Sequence, residues 1–330
     1  MKALICSQYG PPSTLTLQDG PAPEPQAGQV LVDVHAAGLN YPDTLIIENR
    51  YQFKPPLPFS PGGEFAGRVR ALGAEARGFE PGQAVLGFSG WGAFAEQIAV
   101  PADALFTVPD GLPFDIAGSL LMTYGTAWHA LTDRAQLRAG ETVLVLGASG
   151  GLGSALTELA KALGARVIAA ASSPEKLESC LAHGADAVID YQGEDLRARL
   201  KELTAGRGVD VVCDPVGGPL SEAALRSTAW RGRFLVIGFA SGEIPRIALN
   251  LPLLKGCAIV GVFWGDYLKR ERAAVQADIQ TLAEWYQAGR IRPAITRHLT
   301  LAETPAALEA MQQRQVVGKW VVVPQGRADS

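Results

Sequence analysis

The chain has 330 residues, 48% of them hydrophobic and 19% charged, with a net charge of −4. This length suggests two domains, the composition excludes a disordered chain, and the slight acidity argues against a nucleic-acid partner. No run of about 18 apolar residues is present, so neither a membrane-spanning helix nor a membrane partner is expected.

The four cysteines, Cys6, Cys180, Cys213 and Cys257, are too scattered for a disulfide framework or a zinc knuckle. The opening residues run soon into Gly10-Pro11-Pro12, without the long apolar stretch of a signal peptide. The expectation is a cytoplasmic protein with reduced thiols.

Most of the 22 prolines fall in the first 120 residues, among many glycines. Short apolar runs at 29–35, 67–72, 84–87 and 93–100 alternate there with turn signals, the pattern of a β-rich domain. From about residue 120 strand-like runs alternate with helix-period segments. A strand at 142–146 is followed by Leu152, Leu156, Leu159 and Leu163 at helical spacing, ended by Gly164. Strands at 167–171, 187–189, 209–213 and 234–237 continue the series, with helices marked by Leu177 and Leu181 and by Leu196, Leu200 and Leu203. This rhythm predicts a doubly wound α/β domain with a parallel sheet. After about residue 263 it breaks. Val275, Ile279, Leu282 and Tyr286 then predict a long amphipathic helix closed by Gly289.

The strand at 143–146 runs directly into Gly147-Ala148-Ser149-Gly150-Gly151-Leu152-Gly153, which opens the next helix. Read as Ala148-x-Gly150-x-x-Gly153, this is a dinucleotide fingerprint with Ala in first place. Small residues let the turn tighten, the backbone approach a pyrophosphate, and the helix pack close to the strand. The helix N-terminus adds free N–H groups and the positive end of its dipole.

A site for NAD usually carries Asp or Glu about 20 residues further on, at the end of the second strand. Here that strand ends in Ala171-Ser172-Ser173-Pro174-Glu175-Lys176, with two hydroxyls and a lysine instead. These suit a ribose 2′-phosphate, so NADPH is expected over NADH. The same residues also read as a capping box, with Ser172 as cap, Glu175 three residues later and Pro174 in the first turn. The two readings are compatible. His35, His129, His183 and His298 form no short-range ligand pair, and no metal site is expected.

The chain resembles the medium-chain dehydrogenase/reductase superfamily and, within it, the zinc-independent quinone oxidoreductase family that includes ζ-crystallin. Nearly the whole chain carries the resemblance. Its specific segments are Ala37-Gly38-Leu39-Asn40-Tyr41-Pro42-Asp43; Tyr51 with Pro55-Pro56-Leu57-Pro58-Phe59; and Pro61-Gly62-Gly63-Glu64-Phe65-Ala66-Gly67. Further on come Gly125-Thr126-Ala127, Asn250-Leu251-Pro252-Leu253-Leu254-Lys255, and Phe263-Trp264-Gly265. Zinc-dependent relatives carry Cys where this chain has Asn40 and His where it has Gly63, so the metal-free branch is implied.

The fold implied is a Rossmann domain at 122–262 inserted in a β-rich GroES-like catalytic domain formed by 1–121 and 263–330. The cofactor residues implied are Ser149, Gly150, Gly151 and Leu152 at the pyrophosphate, and Ser172, Lys176 and Tyr191 around the 2′-phosphate. Thr126, Phe239 and Phe263 belong to the nicotinamide half. Asn40, Asp43 and Tyr51 would line the substrate cleft, while Leu45 replaces an aromatic common in the family.

A quinone or enone accepts hydride at carbon and gathers negative charge on oxygen, which needs positioning and hydrogen-bond donors rather than a nucleophile. Asn40 and Tyr51 are candidate donors, and Asp43 is a candidate for either a catalytic or a structural role. Trp91, Trp264 and Tyr267 are candidates for walls around a flat acceptor or for core or interface residues. The expected activity is NADPH-dependent, metal-independent reduction of a quinone or enone. Reduction of an enoyl- or acryloyl-CoA and a non-catalytic NADPH-binding role stay open. A homodimer is expected from the resemblance, joined through the edges of the Rossmann sheets, since an unpaired edge is a liability.

Overall fold

The computed structural model describes residues 1–326. It divides into two units. The first comprises Met1–Met122, Ile279–Gln287 and the described residues from 293 to 326, and the second Thr123–Asp278 with Ala288–Arg292.

In chain order the first unit begins with the antiparallel pair β1 (Lys2–Ile5) and β2 (Thr16–Asp19). It continues with β3 (Gln29–Gly38), β4 (Glu64–Leu72), β5 (Ala84–Phe88), β6 (Gln97–Pro101) and β7 (Leu105–Thr107). The second unit holds β8 (Thr142–Leu146), β9 (Arg166–Ala171), β10 (Ala187–Asp190), β11 (Val209–Asp214), β12 (Thr228–Val236) and β13 (Ala258–Gly261). The chain then returns to the first unit as β14 (Ile295–Leu299) and β15 (Lys319–Val322).

The sheet of the first unit runs β14-β15-β3-β4-β5-β7, with β6 also paired to β3. Its core gathers Val30, Val32 and Val34 of β3 with Phe65, Val69, Phe94 and Leu105. Leu299, Leu308 and Val322 from the end of the chain join the same core. Val321 pairs with Gly38 and Val322 with Ala37, so β15 lies antiparallel beside the end of β3. At Gly67 a Cβ would stand 1.9 Å from the Asp33 carbonyl oxygen, and only glycine lets β4 approach β3 there. The run at 93–100 is only partly a strand. Ala93 and Phe94 instead donate their amides to Gly62 and Pro61 in a turn, after Gly92 at φ +104°.

The second unit is a six-stranded parallel sheet in the order β10-β9-β8-β11-β12-β13, the doubly wound order. All five residues of β8 are buried, as expected where helices cover both faces. The helix Gly151–Ala162 buries Leu156, Leu159 and Ala160, and the helix Leu196–Leu203 buries Leu196 and Leu200. The long helix extends over Arg272–Gln287 with Val275, Ile279 and Leu282 buried. A shorter helix, Trp264–Arg270, precedes it and has no counterpart in the sequence pattern. Among the described residues no helix is long and apolar enough to cross a membrane.

Candidate active site

The glycine turn leaves β8 at Leu146 and enters the helix Gly151–Ala162 with Gly150 as its cap residue. No side chain caps that end, so the first-turn N–H groups are left for a ligand. The glycines serve different needs. A Cβ on Gly153 would lie 2.2 Å from the Gly147 oxygen and 2.6 Å from the Ala148 Cα, so Gly153 exists for strand–helix packing. A Cβ on Gly150 would meet nothing closer than 3.7 Å, so the protein's own packing does not require that glycine. The turn is therefore open at Gly150, with Gly151 and Leu152 next along the chain and Ser149 buried.

At the end of β9 the capping arrangement differs from the sequence reading. Ser173, not Ser172, is the cap. It has an extended backbone at φ −161°, and its hydroxyl accepts the Lys176 N–H at 3.4 Å, with Pro174 opening the helix Pro174–Ala182. Ser172 is thereby released, and its hydroxyl accepts from the Lys176 ammonium at 3.1 Å. Asp190 pairs with Ala171 across β10 and β9, and the Tyr191 amide donates to the Ala171 oxygen at 3.2 Å. Strand register thus sets the backbone of Tyr191 beside Ala171, the residue before Ser172, and β9 itself ends without a carboxylate. A cavity of about 970 Å³ opens beside Tyr191 and includes Gly218, Glu243, Ile244 and Arg246 in its wall. None of the glycine-turn residues line it.

Thr126 is buried in a short helix, whereas Phe239 and Phe263 are exposed just beyond β12 and β13. The loops after β11 and β12 are tied by backbone bonds from Ala240 to Pro215 and from Ser241 to Val216. Gly217, at φ +70°, leaves the room that Phe239 fills, since a Cβ there would come within 2.9 Å of its ring. Sequence reasoning missed Asp214, which fixes the loop after β11. Its buried carboxylate accepts from the amides of Val216 (2.9 Å) and Gly217 (2.8 Å) and from the Ser221 hydroxyl (2.5 Å). An acid at the end of the buried run Val211-Val212-Cys213 was the available signal.

In the first unit Asn40 and Asp43 meet at the start of the helix Tyr41–Ile47. The Asp43 carboxylate accepts the Asn40 amide at 2.7 Å and also bonds the Gly63 backbone. Burial pushes the Asp43 carboxyl up to about 7. The Asn40 and Gly63 amides and the Lys319 charge oppose that rise, and Glu64 adds to it. Tyr51 is half-buried on the core and edge-on to Phe53, with ring centroids 5.5 Å apart. Burial raises its phenol, and the Asp43 charge raises it further.

The Asn40 side chain is fully engaged. Its Nδ2 donates to Glu64 Oε1 (2.8 Å) and the Gly38 oxygen (3.1 Å), and its Oδ1 accepts from Lys319 Nζ (2.6 Å). Lys319 was invisible to sequence reasoning because it is far away in the chain.

The histidines hold bland partners. His35 stacks on Phe114, His129 on Tyr267, His183 faces the Ser179 oxygen, and His298 faces Asp115. Trp264 is buried against Gly125, where a Cβ would come within 2.5 Å of its ring, and Trp91 is exposed. Among the described residues no three His, Cys, Asp or Glu side chains gather as a metal site. Asn40 and Gly63 cannot supply the thiolate and imidazole that a catalytic zinc takes, so the residues present do not fit that metal.

A parallel doubly wound unit with an open glycine turn, joined to a β-rich unit, defines an NAD(P)-binding oxidoreductase of the medium-chain type. Residues 26–110 match the family described as alcohol dehydrogenase GroES-like domain, and residues 151–286 match that described as zinc-binding dehydrogenase. The chain is 38% identical over 325 residues to quinone oxidoreductase-like protein 2 homolog of Nematostella vectensis, covering 97% of this chain and 88% of that one. It is 34% identical over 325 residues to a quinone oxidoreductase of Pseudomonas aeruginosa, covering 98% and 99%. The Escherichia coli quinone oxidoreductase, solved in complex with NADPH, superposes with a TM-score of 0.92 at 27% identity, covering 98% and 100%. The chain belongs to the quinone oxidoreductase-like family of the medium-chain dehydrogenase/reductase superfamily.

Proposed function

We propose that this protein is an NADPH-dependent reductase of quinones or enones that works without a metal. The observation that carries the cofactor choice is the Ser172–Lys176 pair at the end of β9, a strand that ends without a carboxylate; Tyr191, bonded to Ala171 through its backbone, is assigned to the same 2′-phosphate group in this reading. An ammonium and hydroxyls favour a 2′-phosphate, whereas a carboxylate there would repel it. Residues 122–262 form the cofactor-binding part in this reading, and 1–121 with 263–330 form the catalytic part.

When bound, NADPH would supply hydride. The uncapped turn at Ser149, Gly150, Gly151 and Leu152 holds the pyrophosphate through backbone N–H groups. Thr126, Phe239 and Phe263 serve the nicotinamide half. Tyr51 donates a hydrogen bond to the acceptor oxygen as negative charge develops there. A phenol holds its proton at neutral pH, and burial raises this one further. Asn40 and Asp43 shape the turn beside it, and the Asn40 amide would have to exchange a partner before it could donate. The acceptor is a small, flat, electron-poor molecule.

The protein is further proposed to act as a homodimer. Strand β13 closes one end of the parallel sheet with its residues largely exposed. Ile259 is exposed on β13 itself, and Trp230 of β12 and Leu253 and Leu254 of the helix Asn250–Lys255 are exposed on elements next to it in sequence, Trp230 and Leu253 by 72% and 78%. Pairing β13 with its copy would cover both the unpaired edge and the apolar side chains.

The deciding experiment measures consumption of NADPH, and of NADH in parallel, against quinones, enones, enals and enoyl-CoA thioesters. Turnover of quinones or enones with NADPH preferred is expected. Turnover confined to CoA thioesters, or tight NADPH binding with no turnover at all, would overturn the proposal.

A further inference from the structure

We infer that Lys319, paired with Glu64, is the positioning residue of the Asn40 turn, holding that turn in the one arrangement that suits the acceptor. The inference rests on the proposed reductase reading for its kinetic consequence, and on geometry alone for its structural one.

Lys319 opens β15, and the pairing of β15 with β3 sets it beside Leu39 and Asn40 from the far end of the chain. Its buried ammonium has three protons and three acceptors: Leu39 O at 3.1 Å, Asn40 Oδ1 at 2.6 Å and Glu64 Oε1 at 2.8 Å. Glu64 opens β4 and is buried as well. Its Oε1 also receives the Asn40 amide, and its Oε2 accepts the Met122 N–H at 2.9 Å. Room for that carboxylate exists because residue 38 is glycine, where a Cβ would strike Glu64 Oε1 at 2.3 Å.

The Asn40 amide is therefore held at both ends. Lysine is a pure donor and carboxylate a pure acceptor, so reversing the amide would set N–H against ammonium and oxygen against carboxylate. A neutral hydrogen-bonded neighbour would tolerate either orientation, and this ion pair tolerates one. The Asn40 backbone N–H anchors Asp43, whose carboxylate acts on Tyr51, so the whole turn inherits the orientation. The Lys319 and Glu64 side chains are only 7% and 1% exposed, and every donor of the ammonium is used within the turn or its partner. The pair is built to specify geometry, the best-attested use of a buried ion pair.

The test uses Lys319→Met, Lys319→Arg and the double variant Lys319→Met/Glu64→Gln. The double variant removes both buried charges and so separates folding from positioning. Four readouts are taken on the full chain: melting temperature, NADPH dissociation constant, kcat with a quinone, and hydrogen exchange of the Asn40 side-chain amide by NMR. Lys319→Met is expected to melt lower and to lose kcat by about 10- to 100-fold, the scale of a small misplacement near the reacting centre. The NADPH dissociation constant should stay unchanged. The double variant should recover melting temperature but neither kcat nor slow Asn40 exchange, and Lys319→Arg should recover part of both.

Recovery of kcat and Asn40 protection along with stability in the double variant would show a merely structural pair and overturn the inference. So would wild-type kcat and wild-type Asn40 exchange in Lys319→Met. A wild-type protein that turns over no acceptor would instead overturn the functional reading, and the exchange measurement would then decide the positioning by itself.

Discussion

The Ser172 hydroxyl accepts a hydrogen bond from the Lys176 ammonium at 3.1 Å, one helical turn away, because Ser173 has taken over the helix cap between them. A hydroxyl and a cation are thus presented together at a strand end without an acid, and they are preorganised for an anion.

Lys176→Ala should weaken NADPH by about 10- to 100-fold, the worth of a charge-assisted hydrogen bond, and leave NADH nearly unchanged. Ser172→Ala should act in the same direction and more weakly. Fluorescence titration at two salt concentrations checks both. Equal losses for the two cofactors would remove these residues from the 2′-phosphate.

Replacement of Gly150 and of Gly153 should separate binding from packing. Gly153→Ala drives a Cβ into the backbone of Gly147 and Ala148 and should destabilise the protein by about 1–3 kcal/mol. Gly150→Ala has room within the protein, at an ordinary negative φ of −80°, and should shift stability by less than about 0.5 kcal/mol. Its cofactor affinity should fall, because the methyl group stands where the backbone must approach the pyrophosphate. Denaturant melts combined with NADPH titration read both effects.

Tyr51→Phe removes the proposed donor to the acceptor oxygen. A fall in kcat of about 10- to 100-fold with an unchanged NADPH dissociation constant is expected in steady-state kinetics. Unaltered turnover with both quinones and enones would exclude Tyr51 from the reaction.

The Asp43 carboxyl titrates near 7 in the folded protein, against 3.8 for the unperturbed group. The folded state therefore binds this proton more tightly than the unfolded chain does. The stabilisation is complete below about pH 4 and is lost as the pH rises through about 7. Three units correspond to at most about 4 kcal/mol. Unfolding free energies between pH 5 and 8 should fall more steeply for the wild type than for Asp43→Asn. The comparison of the two removes Asp278, whose carboxyl burial also raises. Parallel curves would contradict the assignment.

Light scattering should give a dimer for the wild type and a monomer for Ile259→Lys, which sets a charge on the exposed edge strand β13. A wild-type monomer would refute the assembly proposed here.

Much of the fold was legible because its signals are local. The turn from Gly147 to Gly153, the leucines of the following helix and the apolar run of β8 all lie within one strand–turn–helix unit. Backbone geometry there imposes its own spacing. The absence of an acid after Ala171 was equally plain. Ser172 and Ser173 were not separable, because two adjacent hydroxyls satisfy the same capping pattern and only the backbone angle at 173 decides between them. The Trp264–Arg270 helix escaped because, at two turns, it is too short to establish a period.

By itself the sequence determined the alternation of strands and helices in the doubly wound unit and the open glycine turn, since each signal is carried by residues a few positions apart, while Asn40, Asp43 and Tyr51 came from the family resemblance. Tertiary structure alone decided that Lys319 meets Asn40 and Glu64, that the Asp214 carboxylate fixes the loop after β11, and that burial pushes the Asp43 carboxyl up to about 7. Those outcomes depend on sheet register and on exclusion of water, which belong to the assembled unit and to no single stretch of chain.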